Sequence, residues 1–452
     1  MNQQNPHCVD VAVLGAGPAG VAAAVELLRM GWSVRLFCGD ARTGIEGASD
    51  RMLEQLRRRQ LSATLASIRV YGPRKRDWAG TQSDNGGEYL IERPRFDAAL
   101  RTDALAAGVP CEARAQEVWR DEHTWLVQSD RGLVRARAVV EARGRRVRGT
   151  AQKGPRLLAL RRRYRGAGAP GTAIMMARDA WYWMACDGLG SLLVQAVGSP
   201  RGSGGEQALK QRLLGMQAMP QALVERLSCA SPEGVVSACA AGASCRRPAD
   251  EEGRVLAGDA TVALDPLAGH GLYEALAGTP AVVAAVNTWL TGGRWAPVKE
   301  FMTARTQESW ARKMAFAHTF YADAAAAQPD AFWLDASRGY GDAAAKAVSV
   351  ADSTLRVEVR PVLNGNRIEQ RRVLVGAQWP RGIWYHGDIE LADLFESGRR
   401  SSWDTVRTAE NLGRSPEAVQ NAIQWLKVKG VLPQGGARQR EHAGVGDGMR
   451  ER

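Results

Sequence analysis

Residues 9–37 restrict the fold more than any other part of the chain. VDVAVL is followed by GAGPAG, then VAAAVELLRMG, then SVRLF. The apolar runs at either end predict buried strands, and the segment between them predicts a helix ending at Gly31. A strand, glycine turn, helix and second strand of this length form a unit with parallel strands. Gly15, Gly17 and Gly20 stand in GxGxxG spacing, with Ala19 inside the motif. The first glycine permits the tight turn, the second lets the backbone approach a diphosphate, and the third lets the helix lie close to the strand. The helix N-terminus adds free N–H groups and the positive end of its dipole. Gly15, Gly17, Ala19 and Gly20 are therefore expected to hold a dinucleotide. A ribose-binding acid is expected to close the second strand. Cys38 stands there instead, and Asp40, two residues later, is the carboxylate within reach.

At 452 residues, 45% hydrophobic and 24% charged, the chain can build two or three domains with ordinary cores. Its seven cysteines are scattered, odd in number and without a CxxC pair. That pattern argues against a disulfide framework or a zinc site and predicts free thiols in the cytoplasm. The polar N-terminus predicts no secretory signal, and no run of about 18 uncharged apolar residues predicts a membrane span. The net charge of +12 is concentrated. Residues 143–165 carry ten Arg or Lys (Arg143, Arg145, Arg146, Arg148, Lys153, Arg156, Arg161, Arg162, Arg163 and Arg165) and no acid. Such a run is either a solvated face or a surface that attracts phosphate, nucleic acid or an acidic polypeptide.

A second signal lies at residues 254–272, RVLAGDATVALDPLAGHGL. Here a strand ends at a Gly-Asp pair, and a proline and a glycine turn then open a helix. With the N-terminal motif, this stretch resembles the FAD-binding signature of the aromatic hydroxylase, flavin-dependent halogenase and geranylgeranyl reductase superfamily. The resemblance covers residues 8 to about 325. It implies that Gly258 and Asp259 hold the ribityl chain of FAD. It also implies that Pro266, Gly269, Gly271 and Leu272 lie beside the flavin ring. A carboxylate suits ribityl hydroxyls, and a helix N-terminus suits negative charge on the reduced ring. ERPRF at 92–96 implies Arg93 near the FAD phosphates or adenine. VVEARGRR at 139–146 resembles a strand-end motif of the superfamily, with Arg143 read in place of its acid and Gly144 retained.

The implied activity is that of a monooxygenase. Reduced FAD and molecular oxygen form a flavin 4a-hydroperoxide that transfers a hydroxyl to an electron-rich ring, with NAD(P)H or another reductant supplying electrons. His270, inside the glycine turn, and Asp265 are the expected catalytic residues. Halogenases of the superfamily carry a GWxWxIP stretch and a lysine. Trp181 and Trp183 keep only the tryptophans of that stretch, and Lys75 is a poor counterpart for the lysine. The two tryptophans are read either as core or as a wall of the substrate cavity. Within the superfamily the chain looks most like the flavoproteins of tryptophylquinone cofactor biogenesis in the quinohemoprotein amine dehydrogenase pathway. That likeness implies hydroxylation of a tryptophan in a small partner polypeptide containing Cys and Trp. The alternatives are a flavin-dependent reductase or halogenase acting on a small molecule, and a regulatory flavin-binding protein.

The expected fold is α/β. Residues 8–330 form an FAD-binding Rossmann-like domain interleaved with a mixed-sheet substrate domain. A linker covers 331–354, a winged-helix-like module 355–433, and a disordered tail 434–452. In the module, Ser415 and Pro416 predict a helix start. From Glu390 to Lys429 six basic residues face six acids, a balance ill suited to DNA.

Overall fold

The computed structural model describes residues 7–40, 42–68, 70–200, 205–215, 219–347 and 355–432. The chain divides into two units. The first comprises residues 1–349 and 363–369, and the second residues 350–362 and 370–452. The tail expected at 434–452 lies outside the described residues.

The first unit is a mixed α/β fold built on two large sheets. The N-terminal strand His7–Leu14 runs parallel to Val34–Phe37 on one side and to Gly132–Glu141 on the other. Val11, Val13, Val34 and Leu36 are buried, as two-sided burial of a parallel sheet requires. Helix Pro18–Arg29 connects the first two strands, with proline in its first turn, where a missing N–H is harmless. The meander Ala115–Asp121, Thr124–Ser129, Gly132–Glu141 returns the chain to the sheet. Much later, Arg254–Leu256 adds a parallel strand to Gly132–Glu141. Both glycine turns thus leave strands that flank Gly132–Glu141, at the same end of one sheet.

The second sheet has eight strands in the order Ser231–Ala240, Leu158–Arg165, Ser191–Gly198, Ala180–Cys186, Gly171–Met176, Val70–Trp78, Thr81–Glu92, Ile45–Ala48. The second glycine turn opens helix Gly271–Ala277, and a separate helix, Thr279–Leu290, follows it. Pro280 stands in the first turn of the second helix, and a proline has no N–H to continue the first.

The expected linker differs from the structure over residues 331–347, which form helix Ala331–Ala347. Its Trp333 and Tyr340 are wholly buried and join Trp310, Met314 and Tyr321 of helix Trp295–Ala327 in one apolar cluster. This packing outweighs the low helix propensity of Gly339 and Gly341. No helix of the described residues is long and apolar enough to cross a membrane.

In the second unit the strands Arg356–Asn364, Arg367–Gly376 and Trp379–Ile383 form a sheet, with the hairpin tip counted in the first unit. Helices Leu391–Arg400, Thr405–Leu412 and Pro416–Val428 follow. The Ser415 hydroxyl accepts the Ala418 N–H at 3.2 Å, the expected cap. Leu391, Leu394, Ala409, Val419, Ala422 and Leu426 form the core beside them.

Candidate active site

A cleft of about 1820 Å³ opens where the strand ends of the first sheet meet the second sheet. Gly15 and Gly17 line it from the N-terminal motif, and Asp259, Asp265, Pro266, Gly269, His270, Gly271 and Leu272 from the second motif. The two motifs touch. A Cβ built on Gly258 would lie 3.0 Å from that of Ala19, and one on Gly144 would lie 3.8 Å from that of Asp259.

The glycines divide by role. Gly15 has φ +111°, and a Cβ there would stand 2.5 Å from the Ala142 carbonyl oxygen, so the turn admits no side chain. A Cβ on Gly20 would lie 1.9 Å from the Gly15 carbonyl oxygen. Gly17 meets nothing within 4 Å. Its missing side chain leaves open space at a helix N-terminus, which a diphosphate needs. Ala19, Gly20 and Gly258 are not among the residues lining the cleft. They bring the helix, the strand and the second motif together.

Asp259 is the strongest sign of a ligand rich in hydroxyls. Its part-exposed carboxyl faces the cleft and receives no hydrogen bond or ion pair from a described residue. Burial holds its pKa above the usual carboxylate range, against the pull of Arg145 and Arg42. A half-desolvated carboxylate that no donor of the chain satisfies favours a ligand that brings hydroxyl donors to it. Cleft volume, an open helix N-terminus and an unsatisfied acid together fit FAD.

Arg93 lines the cleft but is 1% exposed and is held by Glu46 at 3.1 Å and Asp97 at 2.7 Å. Arg42, Arg74 and Arg101 also line the cleft. No local motif marks them. Cys38 is half-buried, and its thiol is held low, at about 7, by a hydrogen bond from Cys111, with Arg101 adding to the effect. Asp40 is at the cleft rim, exposed, and paired with Arg114 at 3.6 Å and Arg146 at 3.7 Å. The strand-end acid read as lost to Arg143 stands two residues earlier. Glu141 is fully buried and accepts two hydrogen bonds from the Arg143 guanidinium, at 2.8 and 2.6 Å. The basic run of residues 143–165 divides. Arg143, Arg145, Arg146, Arg148 and Arg161 line the cleft and the other five do not. Arg145 is a brace, donating to the Gly242 and Leu264 carbonyls.

Behind the second glycine turn lies a smaller cavity of about 200 Å³, lined by Leu264, Asp265, His270, Arg312, Lys313, Met314, Phe316 and Ala317. Asp265 and His270 line both spaces. Asp265 is 3% exposed. Its Oδ1 accepts the Leu267 N–H at 2.8 Å, and its Oδ2 accepts the hydroxyls of Tyr321, at 2.9 Å, and Tyr340. Trp181 donates its indole N–H to the Tyr321 hydroxyl at 3.0 Å and is fully buried, so it belongs to the core. Trp183 lines the cleft. Burial raises the pKa of Asp265 against the lowering effect of Tyr340, the Leu267 N–H and Tyr321. His270 titrates below its usual value through desolvation, with Arg74 and Lys313 adding to the shift. At neutral pH its ring is uncharged and can give or accept a proton. Lys75 is exposed and does not line the cleft, whereas its neighbour Arg74 does.

No protein-family model and no curated protein matches the chain, but solved structures do. The structure of the halogenase CmlS, described as flavin-dependent, superposes with TM-score 0.71 at 17% identity, over 94% of this chain and 96% of that one. CtdE in complex with FAD gives TM-score 0.52 at 15% identity, over 75% and 99%. The peptidyl tryptophan dihydroxylase QhpG, essential for tryptophylquinone cofactor biogenesis, gives TM-score 0.83 at 30% identity, over 94% of this chain and 100% of that one. The fold and the cleft define an FAD-dependent oxidoreductase of the monooxygenase type. Within that class the chain belongs to the family of the tryptophan dihydroxylase QhpG.

Proposed function

We propose that this enzyme hydroxylates a tryptophan side chain in a partner polypeptide, a small subunit containing Cys and Trp, during tryptophylquinone maturation. The observation that carries the reading is the small cavity. An apolar cavity of roughly 150 Å³ accepts benzene. One of about 200 Å³, walled by Leu264, Met314, Phe316 and Ala317, suits a single indole ring. Asp265 and His270 stand between it and the FAD cleft.

In this reading the diphosphate of FAD lies on Gly15 and Gly17 with the helix N-terminus behind them. Asp259 accepts the ribityl hydroxyls, and Pro266, Gly269, Gly271 and Leu272 border the ring. Asp40 is the carboxylate at the adenosine end. FAD held there and reduced by NAD(P)H or another donor would supply the activation of molecular oxygen. The chain supplies position and proton control. The cavity wall orients the ring, and Trp183 on the cleft side helps exclude water. Asp265, which lines both the cavity and the cleft, would take the proton released when a ring carbon gains oxygen. His270 passes protons between cavity and cleft. Incubating the reduced enzyme with the partner polypeptide under ¹⁸O₂ is expected to add labelled oxygen to a tryptophan of that polypeptide. Labelling confined to free indoles, or substrate reduction without oxygen uptake, would refute the reading.

We also infer that the second unit is a winged-helix-like module serving protein contact. Its basic residues are partly spent on its own acids, with Arg372 on Asp393 and Glu396 and Arg414 on Asp388. A shift of duplex DNA by the purified enzyme at physiological salt would overturn that role.

A further inference from the structure

The eight-stranded sheet ends on Ser231–Ala240, which has no partner on its outer side among the described residues. Nine of its ten residues are exposed, Val235 by 89%. Open edges of this kind are usually blunted by charge, by a bulge or by a covering element, because their free N–H and C=O groups recruit other strands. Here the register is irregular between the pairs Arg161–Ser237 and Arg163–Glu233, and Gly234 has φ +68°. That irregularity blunts the first half. The second half, Ser237–Ala240, is regular, uncharged and small.

Its backbone direction follows from the ladder. The Ala241 N–H donates to the Leu157 carbonyl at 2.9 Å. Antiparallel pairs alternate, so Cys239 turns its backbone groups toward Leu158–Arg165, while Ala238 and Ala240 turn theirs outward. This open half also borders the cleft, since Ser237, Ala238, Cys239, Ala240 and Ala241 all line it. Arg161 lines the cleft from the neighbouring strand. Leu158–Arg165 keeps unbroken register on Ser191–Gly198, so alternation puts Arg163 on the same face as Arg161.

We propose that the Ser237–Ala240 edge binds an extended acidic segment of the polypeptide substrate as an added strand, guiding the flanking tryptophan into the cleft. The proposal rests on the polypeptide-hydroxylase reading and names its docking element. The hydrogen bonds of the edge give sequence-tolerant affinity, and Arg161 and Arg163 select acidic side chains.

The test uses the FAD-loaded full chain and a fluorescein-labelled peptide of alternating valine and threonine with one tryptophan and flanking aspartates. Ala240→Pro removes an outward N–H and leaves the ladder to Leu158–Arg165 intact, the position at which a sheet edge tolerates proline. Peptide affinity by anisotropy is expected to fall about tenfold, with FAD content and Tm unchanged. The same peptide N-methylated at alternate backbone nitrogens should no longer bind the unaltered enzyme. Unchanged affinity in Ala240→Pro overturns the proposal. So does full binding of the N-methylated peptide with loss confined to Arg163→Glu, which would mean charge docking without a strand. A dimer that dissociates in Ala240→Pro, with peptide affinity unmoved, would show that the edge pairs two copies and would likewise overturn it. Oxygen incorporation into the partner is scored separately. Strand binding without any hydroxylated tryptophan would sink the function and spare the docking site.

Discussion

Asp259→Ala is expected to give a folded enzyme that purifies without yellow colour. The carboxyl lines the cleft, has no donor among the described residues, and is held above its usual pKa by desolvation. It therefore weakens the empty chain at neutral pH and gains its partners when ligand hydroxyls reach it. Hydrogen bonds to a charged group contribute about 1.5–3 kcal/mol each, so losing them should weaken FAD binding on the order of 100-fold. The sign for stability is opposite. An acid whose folded pKa is raised destabilises the folded state once pH exceeds its unfolded value. Removing it should leave the flavin-free Tm at neutral pH unchanged or higher, and the flavin-free wild type should gain stability as pH falls through that window. Gly17→Ala should share the FAD defect, because its Cβ would enter the space at the helix N-terminus without striking protein. Full flavin occupancy in Asp259→Ala, measured by absorbance after gel filtration, would remove the assignment of the second motif.

Asp265→Asn is expected to retain FAD and lose turnover, with kcat for tryptophan hydroxylation down roughly 10²- to 10⁴-fold, the range for a removed general base. The more discriminating variant is Tyr340→Phe. Tyr340 donates to Asp265 Oδ2 and so favours the ionised carboxylate. Without that donor the Asp265 pKa rises further. A base acts in its ionised form, so activity falls as pH drops through its pKa. The acid limb of the pH–rate profile should therefore move to higher pH in Tyr340→Phe. A profile that keeps its midpoint while kcat drops would show that the tyrosine only packs.

The glycine motifs were legible because their spacing is local and each glycine answers a steric demand. Gly15 and Gly20 face carbonyl oxygens at impossible distances for a Cβ. What the sequence could not convey arises from distance along the chain. Tyr321 and Tyr340 lie in helices far downstream of Asp265, and no motif connects them to it. Trp181 and Trp183 share strand parity, so alternation cannot separate them. One lies under Tyr321 and the other reaches the open cleft. Over Ala331–Ala347 the Gly339, Gly341 and Asp residues point to a linker, whereas the alanines and the burial of Trp333 and Tyr340 make a helix. Glu141 is hidden in the sequence by Arg143, whose charge only the fold shows to be paired with it.

The parallel pairing of Arg254–Leu256 with Gly132–Glu141 has a consequence for synthesis. Gly17 leaves the ribosome early, but Asp259 emerges only after the whole eight-stranded sheet has been made. Until then the nascent chain offers FAD half a grip. Flavin loading is thereby a late event, and a chain stalled before residue 254 has to keep its exposed strands from aggregating without help from its cofactor.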